Sequence, residues 1–250
     1  MEGSLISIFK NNLRVHVAPV GFEIDRVVLP LIKMRADKVY IISKRGKDYA
    51  RYCVDQVLQQ IKTKLNLNEQ YLTEIQVDIY DLVENLRVLY QIFKNESYNH
   101  IYINCSTGSK IQSIACMMAC MMFSGTPYYI EPEEYCYIDT IKGPMTKGLK
   151  NIIILPDYKI EYPEYKLIKC LEIINTYSNG ISKKDLIRKL EDLNMLTSTS
   201  ESIISKYLLL KNNYLTPLIN WKFITTTKLG RKTIIKITED GKNALEIFGS

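Results

Sequence analysis

The chain has little with which to build a metal centre. Its 250 residues include two histidines, and the six cysteines (Cys53, Cys105, Cys116, Cys120, Cys136 and Cys170) show no paired metal-ligand spacing. Several thiols fall inside apolar periodic segments, where a reduced cysteine packs as a small hydrophobe; Cys116 and Cys120 share a helix face in that way. No metal is expected, and the setting reads as a reducing cytoplasm. Long hydrophobic runs are missing too. Nothing approaches an uninterrupted span of about 18 apolar residues, and Met1-Glu2-Gly3-Ser4 lacks the basic start and apolar stretch of a secretory leader, so no membrane is expected as a partner. Two phosphate-handling motifs are also missing. Only Gly108 precedes Lys110 and no Ser or Thr follows it, which excludes a P-loop of G-x-x-x-x-G-K-[ST] spacing. No G-x-G-x-x-G follows the first apolar run, which disfavours a dinucleotide oxidoreductase. His16 and His100 lie in or beside strands without a nucleophile pattern around them, so they read as packed or capping residues; no catalytic residue and no cofactor is assigned.

What is present, from Leu13 to about Pro132, is an alternation of short β-branched runs with longer stretches of helical period. The runs Arg14–Val20, Val39–Ser43, Ile75–Tyr80, Ile101–Asn104 and Tyr128–Ile130 predict strands. Between them, Phe22 to Met34 places Ile24, Val27, Val28 and Leu31 on one helical face, and Tyr49 to Leu65 does the same with Cys53, Val57, Ile61 and Leu65. Leu82 to Phe93 and Ile111 to Phe123 fill the other crossovers, the second with paired methionines (Met117-Met118, Met121-Met122) suited to filling gaps in a core or dimer interface. Strands this apolar are buried on both faces, which gives a Rossmann-like three-layer α/β sandwich with a mostly parallel sheet. Glu131, Glu133 and Glu134 read as a solvated charge run, and Asn151–Leu155 as one further strand.

The stretch Pro156 to Pro163, with two prolines and no period, reads as a linker. The expected division is residues 1–156 for the sandwich, 157–163 for the linker and 164–250 for a second domain. That second part carries roughly 15 basic against 11 acidic residues, whereas residues 1–150 are nearly balanced at 18 against 16. Its order is a helix Tyr165–Tyr177, a helix Lys183–Leu193 capped by Ser182, a helix Glu201–Lys211 with Ile203, Ile204, Tyr207 and Leu208 as its apolar stripe, and two β-rich arms around Lys228-Leu229-Gly230-Arg231-Lys232. A last helix starts at Glu239. Three helices followed by a hairpin with a basic tip is the order of a winged helix-turn-helix, a common carrier of double-stranded DNA binding. Ser198, Thr199, Ser200, Ser202, Ser205 and Lys206 would line the outer face and N-terminal end of its recognition helix, and Lys228, Arg231 and Lys232 would meet phosphates from the wing. The competing reading of this domain is dimerisation or protein contact.

The segment His100 to Lys110 is the most informative. An apolar strand ends in Asn104-Cys105-Ser106-Thr107-Gly108-Ser109-Lys110, and a helix follows at once, so backbone N–H groups, hydroxyls and a lysine converge on the positive end of a helix dipole. Pro19-Val20-Gly21-Phe22-Glu23 stands in the corresponding place after the first strand. There Gly21 permits close backbone approach, and Phe22 offers either a stacking face for a base or a helix-start core contact.

These two loops, with Val15-His16-Val17-Ala18 before the first of them, resemble the signature loops of the CRISPR-associated Rossmann-fold (CARF) family, and the winged helix makes the chain similar to archaeal CARF transcriptional regulators. The family's second loop glycine is replaced here by Ser109. The resemblance implies a homodimer that binds a cyclic oligoadenylate, the tetra-adenylate foremost, across its two-fold axis. Asn104, Ser106, Thr107, Gly108, Ser109 and Lys110 would form the ligand loop, with Pro19, Gly21 and Phe22 beside it. It implies a ligand-responsive transcription regulator acting in antiviral defence. The alternative is a ring nuclease that cleaves the bound oligoadenylate, with Lys110 and Ser106 assisting a metal-free attack by the ribose 2′-hydroxyl.

Overall fold

The computed structural model describes residues 12–136, 143–196, 202–230 and 232–249, and the chain divides into two compact units, Met1–Ile160 and Glu161–Ser250. The first is built on a six-stranded sheet of β1 (Arg14–Pro19), β2 (Lys38–Lys44), β3 (Leu72–Val77), β4 (His100–Asn104), β5 (Thr126–Glu131) and, after the short strands β6 (Glu134–Tyr135) and β7 (Thr146–Lys147), β8 (Asn151–Ile154). The spatial order is β3-β2-β1-β4-β5-β8, parallel throughout except that β8 runs antiparallel to β5. The helices between the strands are α1 (Asp25–Lys33), α2 (Arg51–Lys64), α3 (Leu82–Asn95) and α4 (Lys110–Phe123). α1 packs on α2, and α3 on α4. The chain winds outward from β1 to β3 and then returns to place β4 on the other side of β1. Right-handed crossovers therefore put the two helix pairs on opposite faces of the sheet and leave a crevice between the carboxyl ends of β1 and β4. This is the three-layer, Rossmann-like sandwich that the apolar runs predict.

Differences in detail have local causes. The run predicted at Ile75–Tyr80 is shifted toward the N-terminus, because Asp78 ends the strand: its Oδ1 accepts from the Tyr80 N–H at 2.9 Å and turns the chain. α1 starts at Asp25 rather than Phe22, since the Phe22 carbonyl accepts from the Met145 N–H at 2.8 Å. That bond belongs to the small β6–β7 hairpin, which has no clear period in the sequence.

The second unit contains α5 (Tyr165–Asn175), β9 (Ile181–Ser182), α6 (Lys183–Asp192), α7 (Ile203–Leu210), a π-helical turn (Lys211–Leu215), α8 (Thr216–Asn220), β10 (Ile224–Leu229), β11 (Lys232–Ile237) and α9 (Glu239–Phe248). Its antiparallel sheet has the order β10-β11-β9. Leu171, Ile174, Leu186, Leu190, Leu210, Leu218 and Ile235 form the fully buried centre. Ser182 caps α6 by accepting from the Asp185 N–H at 3.2 Å, as the sequence predicts. Two features depart from expectation. α8 was not anticipated, and of the stripe assigned to the third helix Tyr207 packs partly against the core while Ile203, Ile204 and Leu208 are 61%, 75% and 58% exposed. The buried positions of this helical stretch are Leu210, Tyr214, Leu215 and Leu218, which lie at or beyond the π turn.

His16 lies at the centre of the large sheet, fully buried. Its ring stacks on Tyr102 at 4.9 Å between centroids, its Nδ1 is 3.5 Å from the Tyr128 hydroxyl, and its Nε2 has no partner among the described residues. Burial, with Arg14 nearby, lowers its pKa to about 4. Above pH 6.5 the ring is neutral whether the chain is folded or not, and its stabilising contribution is complete. Below 6.5 the unfolded chain takes up a proton that the folded one refuses, so stability is lost as pH falls toward 4, by about 3 kcal/mol in all. Urea unfolding at pH 7 and pH 4 is expected to show that excess loss in the wild type and not in His16→Gln; parallel losses in both would assign the titration elsewhere.

Candidate functional site

The crevice between β1 and β4 is lined by the loops that follow them, and the two touch. A Cβ placed on Gly21 would lie 3.6 Å from Gly108 Cα. Gly108 has φ +79°, and a Cβ there would lie 2.6 Å from Pro19 Cβ, so both the left-handed backbone and the close approach require glycine. Thr107 fixes the same junction by donating its hydroxyl to the Pro19 carbonyl at 2.6 Å. Ser109 caps α4: its Oγ accepts from the Gln112 N–H at 3.1 Å, while Gln112 Oε1 accepts from the Ser109 N–H at 3.0 Å. The N–H groups of Thr107, Gly108, Lys110 and Ile111 have no acceptor among the described residues. Lys110 is exposed and has no acidic partner among them. Unpaired N–H groups, the dipole of α4 and a free ammonium together make an anion seat.

The loop is anchored through Asn104, which is fully buried. Its Oδ1 accepts from the backbone N–H and hydroxyl of Ser106, and its Nδ2 donates to the Arg26 carbonyl at 2.9 Å. That carbonyl needs a donor from outside its own helix. Its normal partner would be the N–H of residue 30, and Pro30, inside α1, has none. The Asn104 amide therefore fills a vacancy that a proline opens on a different element.

Arg26 is buried as well. Its Nε donates to the Ile130 carbonyl at 3.1 Å, its Nη1 lies 3.2 Å from Glu23 Oε1, and its guanidinium sits 5.2 Å from the Tyr129 ring centre. Its Nη2, like Gln112 Nε2, has no hydrogen-bond partner among the described residues. Glu23 accepts the Thr146 hydroxyl, and burial raises its pKa above the usual carboxylate range. Together with Gly148 N–H to Asp25 at 2.9 Å, this laces the β6–β7 hairpin to the first loop. Glu23, Arg26 and Thr146 are support residues that the sequence reading missed. A charged Arg26 beside the apolar Ile24-Val27-Val28-Leu31 face was the available signal.

The structure therefore sorts the proposed ligand residues. Gly21, Phe22, Ser106, Gly108 and Ser109, on the two loops, are partly exposed, and Lys110 is exposed. Pro19, Asn104 and Thr107 are buried and engaged internally, where they hold the loops in place. Of the proposed DNA contacts, Ser198, Thr199, Ser200 and Arg231 lie outside the described residues. Ser202 is exposed at the start of α7, and Ser205 is half-buried. Lys206 pairs with Glu191 of α6 at 2.5 Å, which turns its charge toward the protein. Lys228 and Lys232 are exposed on the β10–β11 hairpin. Among the described residues no group of three or more His, Cys, Asp or Glu could hold a metal, and no helix is long and apolar enough to cross a membrane.

Residues 14–135 match the family model "HFX_2341_N:-like, N-terminal", and residues 166–249 match the "DUF6293 C-terminal winged helix domain". The uncharacterized protein MJ1513 of Methanocaldococcus jannaschii is 26% identical, in an alignment covering 76% of this chain and 65% of that protein. Among solved structures, Can2 from Sulfobacillus thermosulfidooxidans in complex with cyclic tetra-adenylate aligns with a TM-score of 0.41 and 14% identity, covering 94% of this chain and 64% of that one. Enterococcus italicus Csm6 bound to cyclic hexa-2′-fluoro-hexa-dAMP aligns with a TM-score of 0.41 and 10% identity, covering 80% and 58%. The chain thus spans just under two thirds of the length of these relatives.

The Asn104 anchor has a measurable signature. Asn104→Ala strands the Arg26 carbonyl and is expected to cost about 1–3 kcal/mol. In a Pro30→Ala background, where residue 30 supplies its own N–H, the same change is expected to cost distinctly less. A double-mutant cycle by chemical denaturation measures the coupling, and additive losses would mean that the two residues act independently.

Proposed function

We propose that the chain is a homodimeric, ligand-responsive transcription regulator, in which the N-terminal unit binds a cyclic oligoadenylate and the winged helix unit binds double-stranded DNA. The observation that carries this reading is the anion seat at the sheet's switch point, where the Gly21 and Gly108 loops meet beside unpaired N–H groups and Lys110. The loop sequences that resemble those of CARF proteins are the ones that build this seat.

A single seat with one lysine holds a phosphate weakly. Two copies facing each other across a dyad present it twice, and a ring of even repeat number satisfies both with the same contacts. Ring binding then alters DNA affinity to the extent that the two conformations of the dimer bind the ring differently. On the DNA side, the exposed Lys228 and Lys232 of the wing supply phosphate contacts, whereas Lys206 is held by Glu191. Base readout therefore does not rest on Lys206.

Calorimetric titration with cyclic tetra-adenylate is expected to show saturable binding by the wild type. Lys110→Ala is expected to weaken it about tenfold or more while leaving the thermal midpoint unchanged; undiminished affinity would remove Lys110 from the site. For DNA, Lys228→Ala combined with Lys232→Ala is expected to lower affinity and to flatten the log–log salt dependence by about 2 units. A salt slope identical to wild type would take the wing off the phosphate backbone.

A further inference from the structure

We propose that the turn between β3 and α3 forms a third wall of the ligand site and that Tyr80, on that turn, stacks on a nucleobase of the bound ligand. This rests on the nucleotide reading given above. The connection is a hydrogen bond: Ser109, the cap of α4, donates its hydroxyl to the Ile79 carbonyl at 2.6 Å. The residue whose neighbours seat the anion is thus bonded to the residue that precedes Tyr80.

The turn itself is fixed from several sides. The Tyr80 N–H donates to Asp78 Oδ1, and the Asp81 N–H donates to the Asp78 carbonyl at 3.2 Å. Asn85, almost wholly buried, donates its amide to the carbonyls of Asp78 and Asp81 at 2.8 and 2.7 Å. The Asp78 N–H donates to Glu84 at 2.9 Å, and Glu84 in turn pairs with Arg45. On this hydrogen-bonded turn the Tyr80 ring is 70% exposed and takes no part in the core. The ring face is thus open to a ligand beside the loop that Ser109 ties down.

The chemistry of the wall selects the part of a nucleotide that fits. Asp78 and Asp81 are exposed and Glu84 stands behind them, so a second phosphate is repelled here. A neutral base is not, and an exocyclic amine such as that of adenine can donate to a carboxylate. With a phosphate on the α4 N-terminus, the attached base needs a flat surface close by, and a tyrosine, with two side-chain torsions to fix, provides one at modest entropic cost.

The test is calorimetric titration of the full chain with cyclic tetra-adenylate and, as a base-free probe, tripolyphosphate. Tyr80→Ala is expected to weaken tetra-adenylate binding about tenfold and leave tripolyphosphate binding unchanged. Tyr80→Phe is expected to stay within about threefold of wild type, since the ring is kept. Tyr80→Trp is expected to show indole fluorescence quenched by tetra-adenylate and not by tripolyphosphate. Equal tetra-adenylate affinity in wild type and Tyr80→Ala would overturn the stacking role and leave the anion seat standing. Equal loss of both probes in Tyr80→Ala would overturn it too, since the base would not be what Tyr80 holds. A wild type that does not bind tetra-adenylate overturns the nucleotide reading itself, and the stacking role with it.

Discussion

One hydrogen bond, from the Asn104 amide to the Arg26 carbonyl, determines how the N-terminal unit presents its loops. Pro30 removes the donor that an uninterrupted helix would have supplied, and the end of β4 provides the replacement. The same Asn104 side chain turns the chain back on itself through Ser106. A defect in one helix and the shape of a loop on the neighbouring strand are thereby a single problem with a single solution. The close approach of Gly108 to Pro19 and the bond from Thr107 to Pro19 then hold the two loops against each other. With the backbone so constrained and the Ser109–Gln112 cap in place, the N–H groups of Lys110 and Ile111 are left without an acceptor among the described residues.

Much of this was legible from residue order. Apolar runs separated by helical stretches specify a buried parallel sheet, and the two glycine-bearing loops after the first and fourth strands fall at the switch point wherever such a sheet is doubly wound. What sequence could not separate is contact from support. Asn104 and Thr107 carry polar side chains in a polar loop, the same signature as Ser106 and Ser109. All four are hydrogen-bonded within the protein, and only the structure shows that Asn104 and Thr107 are buried while Ser106 and Ser109 stay partly exposed. Nor could it find Ile79, Glu23 or Thr146. Their partners lie 30, 3 and 123 residues away, and the two long-range pairs are brought together by packing that has no period.

The winged helix unit shows the opposite case. Apart from β9 and α8, its order of elements follows from simple punctuation: Gly180 after α5, Ser182 before α6, Gly230 at the hairpin. Its surface does not. An apolar stripe at Ile203, Ile204, Tyr207 and Leu208 has the spacing of a buried face, yet the hydrophobic centre takes residues further along, from Leu210 to Leu218. Periodicity reports which residues share a side, and the neighbouring helices decide which side is covered.

The π turn at Lys211–Leu215 gives that helix an unusual tolerance of a change in length. A π turn is an α-helix that has accommodated one surplus residue in a widened turn, so deleting a single residue there would let the ladder close normally and leave the segments on either side facing as they do now. Ile204 and Leu208 would keep their outward aspect. The same deletion in a regular turn of α7 or α8 would instead rotate one segment against the other by about 100°, so the π turn is the one place in this stretch where relatives could differ by a residue and still display the same face.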